Sequence, residues 1–242
     1  MPDEANQIAV QGRGVLKSFR SGETKITVLR GTDFDARIGE MTFLVGPSGC
    51  GKTTLISVLG GILAAEGGAV SVLGEELAAM RRGRLPRFRL ANLGFIFQQF
   101  NLLPSLSAAE NAAIPLVAQG ISTGKAERRA AEFLDRLGMG DQIRKMPNQL
   151  SGGQQQRVAI ARALVHEPKV VICDEPTASL DASAGTAVME LLGEAAVSEE
   201  RSVIVVTHDN RIFKFADRVH HMADGMIFKT ESGREAAESG VL

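Results

Sequence analysis

A glycine-rich segment at positions 46–53 constrains the fold of this chain more than any other feature. It reads GPSGCGKT, follows the apolar run 41–45 and leads into residues 53–59, which have helical character. A buried strand that passes through a tight turn into a helix is typical of an α/β fold with a parallel sheet. Further short, buried-looking runs predict strands of that sheet at 94–97, 170–173, 203–206 and 219–222.

The same segment has the residues that a phosphate-binding loop, or P-loop, needs, in the pattern G-x-x-x-x-G-K-[ST]. Its glycines let successive N–H groups point inward at a helix N-terminus, where the helix dipole favours an anion. Lys52 adds a positive charge for the β- and γ-phosphates, and Thr53 offers its hydroxyl to Mg²⁺. A chance glycine-rich turn is the alternative that the pattern alone leaves open. The predicted phosphate-binding residues are Gly46, Pro47, Ser48, Gly49, Cys50, Gly51, Lys52, Thr53 and Thr54.

Two adjacent carboxylates end a later apolar run, in the sequence VVICDE at 170–175. An acidic residue at the end of a strand beside a phosphate-binding loop can hold Mg²⁺, and a neighbouring carboxylate can polarise the attacking water. Asp174 is predicted to take the first role and Glu175 the second. Taken alone, the pair could equally cap a strand and begin a loop.

A third motif, LSGGQ at 150–154, precedes a periodic apolar run, so Ser151 and the two glycines are predicted to open a helix. Such a helix start would be a second anion site. Two separate phosphate-binding helix starts in one chain are explained if the second serves a nucleotide bound by another molecule.

With these three motifs in this order, the chain resembles the ABC ATPases over about residues 8–230. In that family LSGGQ is the signature motif, and two subunits pack head to tail so that each signature closes the P-loop site of its partner. The resemblance implies a P-loop NTPase core, ATP hydrolysis with ATP and Mg²⁺ as cofactors, and a homodimer across the ATP sites. It also assigns nucleotide contacts to Ser151, Gly152, Gly153 and Gln154.

Four further residues stand where the resemblance implies a function. Gln98 matches the Q-loop residue that senses Mg²⁺ and the γ-phosphate, with Gln99 as a weaker candidate, and Asp181 matches the D-loop at the dimer interface. His208 matches the switch histidine that contacts the γ-phosphate and positions the water, although a lone histidine is usually structural or solvated. Phe19 falls where the family stacks an aromatic ring on adenine, and a core role is its alternative. The resemblance thus assigns catalysis to Glu175, His208, Gln98 and Lys52, and metal binding to Thr53, Gln98 and Asp174.

The length of 242 residues fits one α/β domain with an insertion or two small domains, and we favour a single domain over 1–242. Residues 8–38 predict a small antiparallel sheet. The alanine-rich, helically periodic stretch 107–167 predicts an inserted helical subdomain, and the small, polar residues 231–242 predict a mobile tail. We expect the adjacent His220 and His221 to be surface or edge residues, not metal ligands.

Composition excludes several function classes. A net charge of −1 gives no basic face of the kind that nucleic-acid binding requires, so no nucleic-acid partner is expected. No apolar run is long enough to span a membrane and the start lacks signal-peptide character, which predicts a cytoplasmic protein. With only Cys50 and Cys173 present, a structural disulfide is not expected in that compartment.

Local sequence narrows the resemblance to the macrolide-exporter and lipoprotein-release branch, and within it to the glycolipid-exporter type. The stretches that carry it include GFIFQQFNLL at 94–103 and THDNRI at 207–212. This implies an integral membrane permease, a membrane-fusion adaptor, a position on the inner face of the plasma membrane, and export of a lipophilic or lipid-linked substrate. A force-transmitting ATPase that activates an extracytoplasmic partner without transport is the alternative. The basic run 81–89 is compatible with contact to lipid headgroups or the permease, and equally with a solvated helical face.

Overall fold

The structure is a computed structural model that describes residues 7–22, 24–81, 83–196 and 200–239. These residues form two compact units. The first takes the described residues up to Arg89 and from 200 onward, and the second spans Leu90–Ala196.

In chain order, the described strands and α-helices are β1 (Ile8–Ser21), β2 (Thr24–Arg37), β3 (Met41–Val45), α1 (Lys52–Leu59), β4 (Gly67–Val72), β5 (Glu75–Glu76), α2 (Arg84–Asn92), β6 (Leu93–Ile96), α3 (Ala108–Ala118), α4 (Thr123–Arg136), α5 (Gly152–Leu164), β7 (Val170–Asp174), α6 (Ala182–Ala196), β8 (Ser202–Thr207), β9 (Arg218–Ala223), β10 (Met226–Ser232) and α7 (Gly233–Ser239). Short 3-10 helices lie at Leu77–Ala79, Gly140–Gln142, Pro147–Gln149 and Asn210–Phe215.

The first unit contains an antiparallel sheet in the order β2-β1-β4-β5. Strands β1 and β2 pair along their whole lengths, from Ile8 opposite Arg37 to Ser21 opposite Thr24. The antiparallel sheet expected over residues 8–38 is therefore confirmed. The sequence reasoning did not predict the two further strands, β4 and β5.

Parallel pairing surrounds β3, which carries the P-loop at its end. In the first unit β3 pairs in parallel with β8 on one side and β9 on the other, and β10 pairs antiparallel with β9. All five residues of β3 are buried, as expected for a strand covered on both faces. In the second unit β6 and β7 also pair in parallel, from Leu93 opposite Val170 to Ile96 opposite Cys173. The α/β fold with a parallel sheet is confirmed.

Helices dominate the second unit. Residues 107–167, all of which the structure describes, include α3, α4 and α5 but no strand. Both α4 and α5 pack against α3. Helix α3 begins with a capping box in which Ser107 and Glu110 satisfy each other's backbone N–H groups. The compact unit is larger than the predicted subdomain, because it also includes β6, β7 and α6.

The expectation of a mobile tail over 231–242 is corrected for the residues that are described. Strand β10 continues to Ser232 and α7 follows it, with Ala236 only 1 % exposed. Ser232 accepts a hydrogen bond from the backbone N–H of Glu235, and its own N–H donates to the Glu235 carboxylate. This S-x-x-E capping pattern was the available sequence signal for the helix. Residues 240–242 lie outside the described residues.

The prediction that His220 and His221 are surface or edge residues is wrong. Strand β9 lies between β3 and β10, so it is not an edge strand, and both histidines are buried, at 3 % and 8 % exposure. Nε2 of His220 donates to the carbonyl oxygen of Asp35 at 2.9 Å, which leaves Nδ1 to accept from the Thr230 hydroxyl at 2.8 Å. Nε2 of His221 lies 2.5 Å from a carboxylate oxygen of Glu231. Among the described residues no cluster of three or more His, Cys, Asp or Glu side chains could hold a metal ion.

Candidate nucleotide site

The P-loop passes directly from β3 into α1. Helix α1 begins at Lys52, after Gly51 in a left-handed conformation with φ of 110°, and no side chain caps its first turn. The N–H groups of that turn therefore keep their capacity for an anion. A Cβ at Gly46 would strike the carbonyl oxygen of Met222, so the loop can curl this closely only with glycine at that position.

Lys52 is held over the loop. Its side chain is 8 % exposed, and Nζ donates to the carbonyl oxygens of Gly46 at 2.8 Å and Pro47 at 2.9 Å. In the part of the chain that the structure describes, no ion pair to a carboxylate involves this ammonium. A buried cation that is bonded to carbonyl oxygens and adjoins an uncapped helix start suits a polyphosphate. Thr53, the predicted Mg²⁺ ligand, is exposed beside it.

Two other predicted residues belong to the same unit. Phe19 lies on β1 and is 42 % exposed, so it is not a core residue. The ammonium of Lys17 lies over one face of its ring, 5.5 Å from the centroid. His208 directly follows β8 and is exposed. The next residue, Asp209, accepts from the backbone N–H of Arg211 and pairs with its guanidinium at 2.7 Å. These hydrogen bonds from Arg211 hold the pKa of Asp209 below its usual value and fix the start of the following 3-10 helix.

The two carboxylates belong to the second unit. Asp174 is the last residue of β7, and Glu175 follows it with φ of 50°, a left-handed conformation that a residue with a side chain rarely adopts. Such backbone strain is concentrated at functional sites, where the surrounding structure holds it. Because of this φ, the Glu175 side chain does not take the direction that it would have if β7 continued.

The signature residues form the start of α5, as predicted. Ser151 is the N-cap, and its hydroxyl accepts from the N–H of Gln154 at 3.3 Å. The Gln154 side chain in turn accepts from the N–H of Ser151 at 2.9 Å. Ser151 is exposed, and a Cβ added at Gly153 would meet no atom within 4 Å. The signature thus presents an exposed helix N-terminus that Ser151 and Gln154 cap between them.

Gln98 and Asp181 complete the predicted set in the second unit. The backbone carbonyl of Gln98 accepts from the Ser179 hydroxyl at 3.4 Å. The exposed Asp181 accepts from the N–H of Ala184 and the hydroxyl of Ser183, both at 2.9 Å, and these bonds lower its pKa. Asp181 therefore also caps α6, a role that the sequence reasoning missed.

Gln156 is a supporting residue that the sequence reasoning missed altogether. It is fully buried on α5, and Nε2 donates to the carbonyl oxygen of Pro176 at 2.9 Å. The available signal was a polar residue at helical spacing from the apolar Ala159, Ile160 and Ala163. Such a residue on a buried stripe needs a partner.

The predicted site residues thus fall into two groups. The first unit holds Phe19, the P-loop residues 46–54 and His208, and the second holds Gln98, residues 151–154, Asp174, Glu175 and Asp181.

Residues 29–178 match the family model described as ABC transporter. The chain belongs to this family. It is 41 % identical to an uncharacterized ABC transporter ATP-binding protein of Thermotoga maritima over 88 % of this chain and 91 % of that protein. It is also 42 % identical to the macrolide export ATP-binding/permease protein MacB of Nitrosomonas europaea, over 96 % of this chain and 36 % of that protein. A solved bacterial ABC transporter cassette, MJ0796, described as dimeric, superposes with a TM-score of 0.85 at 35 % identity, covering 93 % of this chain and 99 % of that one.

The chain spans about one third of the length of the MacB relatives that it matches. Membership of the family establishes it as an ATP-binding cassette with ATPase activity that uses ATP and Mg²⁺. The P-loop geometry fits these ligands. Within the described residues, no helix combines the length and hydropathy that crossing a bilayer requires.

Proposed function

We propose that this cassette hydrolyses Mg-ATP as a homodimer and thereby powers a membrane permease. The observation that carries the proposal is the presence in one chain of two separate helix starts suited to phosphate, the uncapped start of α1 and the exposed start of α5 at Ser151. A single nucleotide needs only one P-loop, so the second helix start is explained if it completes the site of another copy. The dimeric form described for the MJ0796 cassette supports this arrangement.

In the proposed cycle the P-loop N–H groups and Lys52 bind the phosphates, and the exposed Phe19 ring stacks on adenine. Bound Mg²⁺ supplies positive charge that neutralises the phosphate oxygens. Thr53, Gln98 and Asp174 are the side chains proposed to hold it.

Three side chains are proposed to act on the reacting groups. Glu175 accepts a proton from the attacking water, as a carboxylate positioned by the strained turn after β7. His208 and Lys52 donate hydrogen bonds to γ-phosphate oxygens, where negative charge accumulates as the bond to the leaving group breaks. Across the dimer, Ser151, Gly152, Gly153 and Gln154 are proposed to contact the partner's nucleotide, with Asp181 at the interface.

The test of the hydrolytic roles is Glu175→Gln, with Glu190→Gln on the exposed face of α6 as the matched control. Losing one preorganised catalytic group lowers kcat by about 10² to 10³-fold. Glu175→Gln should therefore lose turnover, still bind ATP, and elute as a dimer in Mg-ATP during size-exclusion chromatography. Near wild-type turnover of Glu175→Gln would refute the catalytic role proposed for Glu175. Elution of this variant as a monomer in Mg-ATP would refute the proposed dimer.

The permease branch is proposed from the names of the relatives, several of which are macrolide export ATP-binding/permease proteins. We propose peripheral attachment to the inner face of the plasma membrane, a membrane-fusion adaptor, and a lipophilic or lipid-linked cargo. Glu175→Gln, purified from detergent-solubilised membranes in Mg-ATP, should bring down a permease and adaptor that mass spectrometry identifies. Co-purification of a permease with a cell-wall hydrolase would favour force transmission over export. A dimer that purifies without membrane partners would overturn the permease proposal.

A further inference from the structure

The loop that follows Gln98 has an unusual backbone. Phe100 and Asn101 are consecutive residues with φ of 52° and 50°, in the left-handed region that residues with side chains rarely adopt. Two such residues in sequence cost free energy and persist only where surrounding contacts hold them. The loop therefore needs an external support.

Arg162, in the last turn of α5, supplies that support. Nη2 donates to the carbonyl oxygen of Phe100 and Nη1 to that of Asn101, each at 2.6 Å. The planar guanidinium has a fork of donors that can serve two neighbouring carbonyls at once, which a lysine ammonium cannot reproduce with the same geometry. Charge on the donor makes both hydrogen bonds short and strong.

A second side-chain donor to this loop is weaker. The Ser179 hydroxyl reaches the carbonyl oxygen of Gln98 at 3.4 Å, close to the limit of a hydrogen bond. Arg162 is half-buried, and burial lowers its pKa, although a guanidinium stays charged throughout the physiological range. The guanidinium therefore keeps its charge and all its donors throughout that range.

We propose that Arg162 is a positioning residue for Gln98: it fixes the loop after β6 to α5, the helix that begins at the signature. The proposal rests on the role of Gln98 in the proposed function. Arg162 lies about 11 residues, or roughly 16 Å of helix, from Ser151, so it acts from the far end of the signature helix. Its two hydrogen bonds are to the loop that carries Gln98.

The first test measures the loop itself, without nucleotide. Arg162→Met keeps the side-chain stem and removes the donors, and Arg162→Lys keeps the charge and removes the fork. Amide hydrogen exchange should become faster in residues 98–103 in both variants, where the Phe100 N–H is bonded to the carbonyl oxygen of Phe97 at 3.1 Å.

Arg157→Met is the matched control. Arg157 lies on the same helix and donates to the carbonyl oxygen of Leu137 at 2.7 Å, away from the loop. Its loss should speed exchange near Leu137 and leave residues 98–103 unchanged. Unchanged exchange of residues 98–103 in Arg162→Met would overturn the proposal.

The second test asks whether Arg162 acts through Gln98. Removing a group that orients a metal ligand commonly costs about 10- to 100-fold in metal affinity or activity, so Arg162→Met should raise the Mg²⁺ concentration needed for half-maximal turnover by that factor. In a Gln98→Ala background the same substitution should have no further effect, and an equal effect in both backgrounds would overturn the proposal. A wild-type chain without Mg-ATP turnover would instead refute the proposed function, and the exchange measurement would still decide the position of the loop.

Discussion

Nε2 of the buried Gln156 donates a hydrogen bond to the carbonyl oxygen of Pro176 at 2.9 Å. Pro176 directly follows Glu175, whose left-handed backbone aims the proposed catalytic carboxylate. Helix α5 therefore supports the turn after β7 through Gln156, as it supports the loop after Gln98 through Arg162.

We expect Gln156→Leu to destabilise the chain and slow hydrolysis. The substitution keeps a side chain of similar length but leaves the carbonyl of Pro176 buried without its donor, at a cost of about 1–3 kcal/mol in the free energy of unfolding. It also removes Oε1 of Gln156, a buried acceptor with no hydrogen-bond partner among the described residues, so we expect a loss at the lower end of that range. Because the loss falls on the turn that aims Glu175, kcat should fall while the KM for ATP stays close to the wild-type value. Urea unfolding and steady-state ATPase assays measure the two effects.

Gln155→Leu is the control for that experiment. Gln155 is half-buried, on the same helix, and donates to the carbonyl oxygen of Leu150 at 3.1 Å, away from the turn after β7. We expect a change within about 0.5 kcal/mol. Equal losses of stability and kcat in the two variants would mean that the Pro176 contact has no special role.

Asn111→Ala should destabilise the second unit strongly. The fully buried Asn111 accepts from the N–H of Leu103 at 2.7 Å, and the two hydrogens of Nδ2 are shared among the carbonyl oxygens of Leu103, Leu106 and Ser107, which lie 2.8–3.0 Å away. One side chain thus satisfies the segment that leads into α3. Its removal takes these side-chain hydrogen bonds from the backbone of Leu103 and Leu106, with an expected loss of about 2–4 kcal/mol in the free energy of unfolding.

Gln119→Ala provides the comparison for Asn111. Its amide donates to the carbonyl oxygen of Leu90 at 3.1 Å in an exposed setting, so its loss should cost less than about 0.5 kcal/mol. Both values come from urea unfolding. A loss at Asn111 no larger than at Gln119 would show that the loop before α3 does not depend on this network.

The sequence predicted those parts of the fold whose signals are local. The apolar run of β3 and the glycines after it predict a buried strand and a phosphate-binding turn, and Ser151 with its glycines predicts a helix start. In each case the residues that make the structure are neighbours in the chain. For the same reason the P-loop residues could be proposed as phosphate ligands from the sequence alone.

Features that depend on distant partners could not be predicted in this way. His220 is buried with a hydrogen bond to the carbonyl oxygen of Asp35, 185 positions earlier. The hydrogen bond from Arg162 to the carbonyl oxygen of Phe100 spans 62 positions. Strand β10 was missed because its apolar run is only three residues long, Met226–Phe228, and polar residues follow it to Ser232. Its pairing with β9 defines it instead.

Burial of His220 predicts a loss of stability in mild acid. Desolvation lowers the pKa of its imidazole below the ordinary value of 6.5, while the hydrogen bond to Asp35 and the charges of Asp35 and Glu40 oppose the shift and Arg218 adds to it. The unfolded chain therefore binds the proton first as the pH falls. The contribution of His220 is complete above about pH 6.5 and declines as the pH drops below that value.

His220→Gln tests this dependence, because its amide can still donate to the carbonyl of Asp35 but does not titrate. The fall in the free energy of unfolding between about pH 7.5 and 5.5 should be smaller in the variant than in the wild type. The measurement is urea unfolding at the two pH values. An equal fall in both proteins would assign the acid sensitivity to other groups.

Because the backbone of Glu175 is strained, we expect the glycine variant at this position to be more stable than the alanine variant, the reverse of the usual order. Both Glu175→Ala and Glu175→Gly remove the carboxylate and should lose turnover alike, but only glycine adopts a φ of 50° without strain. A left-handed conformation costs an ordinary residue about 1–2 kcal/mol, which exceeds the entropy that glycine gains in the unfolded chain. Glu175→Gly should therefore be more stable than Glu175→Ala by about 0.5–1 kcal/mol.

Glu190, inside α6, is the control position. There the order should reverse, with the glycine variant about 1 kcal/mol less stable than the alanine variant. Urea unfolding of the four variants measures both differences, and alanine more stable than glycine at both positions would mean that the turn at Glu175 relaxes once its side chain is removed.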